Sequence, residues 1–167
     1  LFRSTLEWAK QWVIENRSTG VSCPCCEQFV KVYRRRVTST MSMVLVAMYH
    51  HFKSLPPTAF IDVPSWLSET LSHRYPAATR GGDYAKLRYW GLIETQPGQL
   101  RPDGSGRTGL WRITAYGNAF VRREVTIWCA AFTCNDSFLG YDQSKQLLIT
   151  DCLGKKFDYK ELMEPAP

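Results

Sequence analysis

Three cysteines crowd into four residues of this chain, in the phrase Cys23-Pro24-Cys25-Cys26-Glu27. Cys23 and Cys26 form a C-x-x-C pair, and a tight knuckle of that spacing points two thiolates at one tetrahedral ion. A closed structural site needs two further ligands. No second C-x-x-C is present, so Cys129 and Cys134, separated by four residues, are the nearest substitute, with Cys152 or a histidine as another source. The expectation is a structural zinc held by Cys23, Cys26, Cys129 and Cys134, against the plainer alternative that the six cysteines are free or buried. Redox catalysis through the pair is disfavoured, because no β-α-β context follows it. The crowding also argues against a secreted disulfide framework. Glu7, Lys10, Glu15 and Arg17 occupy the stretch where a signal peptide would need an apolar run. A reducing cytosol is the expected compartment.

The second chemistry-bearing feature is the run Arg34-Arg35-Arg36. Lys and Arg number 21 against 15 Asp and Glu, a net charge of +6 that favours an acidic partner. The charge falls in blocks: residues 1–36 and 79–125 each carry +4, residues 37–78 are balanced, and residues 126–167 carry −2. Such a run either meets phosphates or forms a solvated surface turn. Enzymatic patterns are missing. His50, His51 and His73 make no H-E-x-x-H, and neither a G-x-x-x-x-G-K-[ST] loop nor a G-x-S-x-G elbow occurs. His50 and His51 would stand about 100° apart on a helix, a poor arrangement for one metal. No small-molecule substrate is implied.

At 44% hydrophobic and 22% charged the chain has the composition of a globular protein, which excludes disorder. Its longest mainly apolar run, Met41 to Phe52, falls short of the roughly 20 residues that cross a bilayer. The spacing predicts a first helix over residues 2–16, capped by Ser4 or Thr5, with Leu6, Trp8, Ala9, Trp12 and Val13 on one face. A second begins after Ser39 or Thr40 and runs through Met41, Val44, Leu45, Met48 and Phe52. A third, from Pro64 to His73, is capped by Asp62 or Ser65. A fourth runs from Asp83 to Tyr89, with Tyr84, Leu87 and Trp90 packing inward. After Gly91 the period becomes that of a strand, Leu92 to Thr95. A glycine-rich turn around Asp103-Gly104 follows, then a strand from Leu110 to Thr114 and a helix capped by Thr114. Residues 125–163 read as two or three short strands and a final helical turn.

The order helix, helix, helix, strand, basic loop, strand, helix over residues 38–123 resembles the winged helix-turn-helix domain of MarR/ArsR-type regulators. Leu87, Trp90, Gly91-Leu92-Ile93, the turn at Asp103-Gly104 and Thr114-Ala115-Tyr116-Gly117 carry that resemblance. It implies that the helix around Asp83–Tyr89 enters the major groove, with Arg80, Tyr84, Lys86 and Arg88 as candidate contacts. Arg101 and Arg107 on the wing, Arg112 and the Arg34–Arg36 run would meet phosphates. The cysteine phrase resembles half of a zinc ribbon, C-P-x-C-G, with Glu27 where that motif has glycine. The whole also resembles phage or prophage proteins that join such a start to a winged helix.

The expected fold class is therefore α+β. Residues 1–36 form an N-terminal helix and cysteine knuckle, 37–125 a winged helix-turn-helix, and 126–167 a small C-terminal β extension. The expected function is duplex DNA binding by a small phage-type regulator of transcription or replication. The alternative is a protein-protein interaction module on the same scaffold, with a partner or a second copy held by the C-terminal extension.

Overall fold

Short polar side chains open most of the helices in the computed structural model, which describes residues 5–98 and 109–164. Thr5 accepts from the Trp8 amide at the start of α1 (Leu6–Asn16). The cysteine segment then lies between β1 (Val21–Ser22) and β2 (Phe29–Val30), and β3 (Tyr33–Arg35) follows. Thr38, one residue before the expected cap, accepts from the Met41 amide and opens α2 (Ser39–Phe52). β4 (Ile61–Asp62) leads into α3 (Val63–Thr70), whose cap is Asp62 and whose first turn holds Pro64. A single turn, α4 (Pro76–Thr79), precedes a 3₁₀ helix (Asp83–Trp90). β5 (Ile93–Thr95), β6 (Leu110–Ile113) and α5 (Ala115–Val121) come next. The chain then enters β7 (Ile127–Cys134), β8 (Ser137–Leu147), α6 (Ile149–Leu153) and α7 (Tyr159–Met163). The protein is α+β with antiparallel sheets. No helix among the described residues is long and apolar enough to cross a membrane.

Contacts divide the chain into two units. The first joins the residues up to Arg36 with Ala130–Gln143. Here β1 pairs with β2, and β3 pairs antiparallel with β7 so that Tyr33 faces Thr133 and Arg35 faces Ala131. The β7–β8 turn is two residues long, and Asn135 and Asp136 both have positive φ, as a tight hairpin of matching twist requires. Of the apolar residues expected to pack along α1, only Ala9 is buried, while Trp12 and Val13 are half-buried and Leu6 and Trp8 are exposed.

The second unit joins Val37–Cys129 with the residues from Ser144 onward and is built around α2. Residues Met41 through Val46 are buried without interruption, so this helix is covered on all sides rather than on one face. α4, α5, α6, α7, β6 and the 3₁₀ helix all pack against it. A three-stranded sheet in the order β4-β6-β5 lies beside it, with Ile61 opposite Trp111 and Ile93 opposite Ile113.

One junction ties these layers together. Gly91 takes φ +68°, ends the 3₁₀ helix and passes the chain directly into β5. The Thr114 hydroxyl donates to the Gly91 carbonyl at 2.6 Å and accepts from the Gly117 amide at 2.9 Å. The Thr114 amide donates to the Leu92 carbonyl at 3.1 Å. A Cβ added at Gly117 would lie 2.1 Å from that same Leu92 oxygen and 2.8 Å from the Ile113 side chain. The Leu92 backbone cannot yield cheaply, so Gly117→Ala is expected to cost about 3 kcal/mol, the upper end for overpacking. Thr114→Ala removes the cap and the bridge together and is expected to cost about 2 kcal/mol. Urea unfolding of both variants checks this; a loss below about 0.5 kcal/mol in either, the ordinary surface value, would contradict the assignment.

Candidate nucleic-acid interface

The 3₁₀ helix has three residues per turn, so side chains three apart stack in line. Tyr84, Leu87 and Trp90 occupy one such line and are all buried. The Trp90 indole donates to the Trp128 carbonyl at 2.8 Å. Tyr84 sits edge-on to Trp111 and packs instead of contacting a partner, which removes it from the candidate contacts. Burial and, secondarily, the Asp62 carboxylate push its phenol up to about 12 from the usual 10.0. Folding thus favours the neutral phenol, whose contribution is complete below pH 10 and is lost as pH rises toward 12. The strict spacing of three was the signal in the sequence for a 3₁₀ rather than an α-helical segment.

The outward positions are only partly open. Lys86 pairs with Asp83 one turn earlier. Arg88 is exposed, and its guanidinium lies 4.7 Å from the Tyr89 ring centroid and donates to the Tyr89 hydroxyl. Arg80 is exposed at the edge of a cleft of about 250 Å³ shared with Thr38, Thr40 and Asp83. In the sheet, Arg112 stands directly opposite Glu94 and pairs with it while stacking on Phe60 at 4.6 Å. Arg101 and Arg107 lie outside the described residues.

The first two arginines of the run, Arg34 and Arg35, lie in a strand rather than a turn. Arg34 forks onto Asp142 with its Nε at 2.8 Å and Nη2 at 2.6 Å, while Arg35 stacks on Tyr33 two residues back. Arg36 is exposed. Strand alternation thus sends the Arg34 and Arg35 guanidiniums to opposite faces.

The cysteines separate into two groups. At the knuckle, the Cys23 amide donates to the Gln28 carbonyl at 2.8 Å and the Glu27 amide to the Cys23 carbonyl at 2.9 Å. Glu27 has φ +60°, adopting the left-handed conformation for which the zinc-ribbon pattern uses glycine. The amides of Cys25 and Cys26, and then the Cys26 thiol, hydrogen bond to the Cys23 sulfur and hold its pKa below the ordinary thiol value. Cys129, Cys134 and Cys152 are buried. Cys129 and Cys134 are five residues apart in β7, an odd spacing that directs them to opposite faces. Among the described residues no three His, Cys, Asp or Glu side chains gather as metal ligands, so the four expected zinc cysteines do not converge.

Compared with known protein families, with characterised proteins and with solved structures, the chain matches none.

Burial pushes the Cys152 thiol up to about 12, with Asp151 adding to the effect. In the presence of chelator, a thiol reagent at pH 8 is expected to label Cys23, Cys25 and Cys26 quickly and the three buried cysteines only on unfolding. Fast labelling of more than three thiols in the folded protein would contradict these burials.

Proposed function

We propose that the second unit is a winged helix-turn-helix that binds duplex DNA, acting as a small regulator of transcription or replication. The observation that carries this reading is the sheet order β4-β6-β5, threaded through the sequence helix, strand, helix, one-turn helix, 3₁₀ helix, strand, strand, helix. That threading leaves one side of the 3₁₀ helix in the core and turns Arg88 outward, with Arg80 just before it. Phosphate contacts from these two and from the other basic residues of segment 79–125 would give affinity, and base contacts would give sequence preference.

Binding to a labelled duplex is expected to weaken steeply with salt, log K falling against log salt by about 0.9 for each neutralised phosphate. Arg80→Ala and Arg88→Ala are each expected to weaken binding severalfold and to make that slope shallower by about 0.9. Lys10→Ala, in α1, should leave it unchanged. Absence of duplex binding at about 50 mM salt, or unaltered affinity in both arginine variants, would reject the proposal.

A second reading, contact with another protein, is favoured by the first unit. It holds Leu6, Trp8, Ile14, Phe29, Tyr33, Phe138 and Leu139, seven of the eight large apolar side chains that are exposed among the described residues.

A further inference from the structure

We propose that the Cys23–Cys26 knuckle is half of a structural zinc site that a second copy of this chain completes, each copy supplying Cys23 and Cys26 to one shared ion. This inference concerns the first unit and stands apart from the DNA-binding reading of the second.

The half-site is already built. The β1–β2 hairpin, in register with Val21 opposite Val30 and Ser22 opposite Phe29, closes the loop that carries the cysteines. The backbone bonds from Cys23 to Gln28 and from Glu27 to Cys23 fix its shape. Glu27 is held at positive φ, a conformation costly for a residue with a side chain.

The half-site is also incomplete. Zinc in a structural site takes four ligands, and two thiols leave the tetrahedron half empty. No third His, Cys, Asp or Glu joins the pair among the described residues. Cys26 is exposed and Cys23 partly so, leaving the ligands open to another molecule. The same unit carries the concentration of exposed apolar side chains, and Phe29 belongs to the knuckle hairpin itself. A twofold axis through the ion would make the contact self-complementary and close it at two copies. Four thiols would release four protons to solvent and form a tetrathiolate with charge −2, with no change of oxidation state. Residues 1–36, at +4 per chain, compensate that charge.

The test uses the full chain purified without chelator, with zinc content and solution mass measured before and after EDTA. The expected result is a dimer with one zinc per two chains, which falls to monomers with EDTA and re-forms when zinc alone is returned. Cys23→Ser and Cys26→Ser should each abolish both zinc and dimer while the far-UV circular dichroism is kept. Cys25→Ser, Cys129→Ser and Cys134→Ser should retain both, and Glu27→Gly should hold zinc at least as tightly. The proposal is overturned by a monomer with one zinc per chain, by a protein without zinc, by a dimer indifferent to EDTA, or by recovery of Cys23 and Cys26 as a disulfide.

Discussion

The close approach of Gly117 to the Leu92 carbonyl, bridged by the Thr114 hydroxyl, is the constraint on which the second unit depends. It joins the end of the 3₁₀ helix, the start of β5, the end of β6 and the start of α5 within one set of backbone and hydroxyl contacts. With that junction held, β5 and β6 pair in register, and α5 can lie against α2. Trp90 then reaches the Trp128 carbonyl, tying the 3₁₀ helix to β7. Gly91, Thr114 and Gly117 therefore have a structural role: they are the residue types that permit a sharp exit, a cap and a close crossing. Their presence says how this segment folds, and fold is separate from what the surface binds.

Charge is distributed by a different logic. Several cations counted toward a basic surface are paired within the molecule: Arg34 with Asp142, Lys86 with Asp83, and Arg112 with Glu94. These pairs are at least partly exposed and each adds little to stability. Their effect is to hold long side chains in set directions and to lower the local positive field. Arg80 and Arg88 consequently weigh more in the DNA-binding reading than the net charge of the chain would suggest.

Much of the second unit was legible because its signals are local. Asp62 and Thr114 stand where caps are needed, Gly91 where a left-handed turn is needed, and Leu92 and Ile113 where a strand meets the core. The 3₁₀ character of Asp83–Trp90 was readable only from the spacing of Tyr84, Leu87 and Trp90, which suits three residues per turn better than 3.6. What local pattern could not disclose was long-range pairing. Arg34 and Arg35 look like a basic loop until β7 is placed beside them. The apolar stripe of α1 predicts burial, yet Leu6 and Trp8 remain exposed, since periodicity shows that a face is apolar without showing what covers it. The division of residues 126–167 between two units has the same origin: a strand's partner is set by tertiary structure.

The pairing of β3 with β7 has a consequence for the order of events during synthesis. Tyr33 leaves the ribosome about a hundred residues before its partner Thr133, so the first unit cannot close before β7 has been made. Bringing such distant segments together in an open chain costs about 4 kcal/mol of loop entropy. Val37 and Cys129 belong to one unit, however, and its collapse replaces most of that loop with folded structure. The interior of the sequence thus acts as a scaffold for the segment that precedes it, bringing β3 to a partner strand made about a hundred residues later.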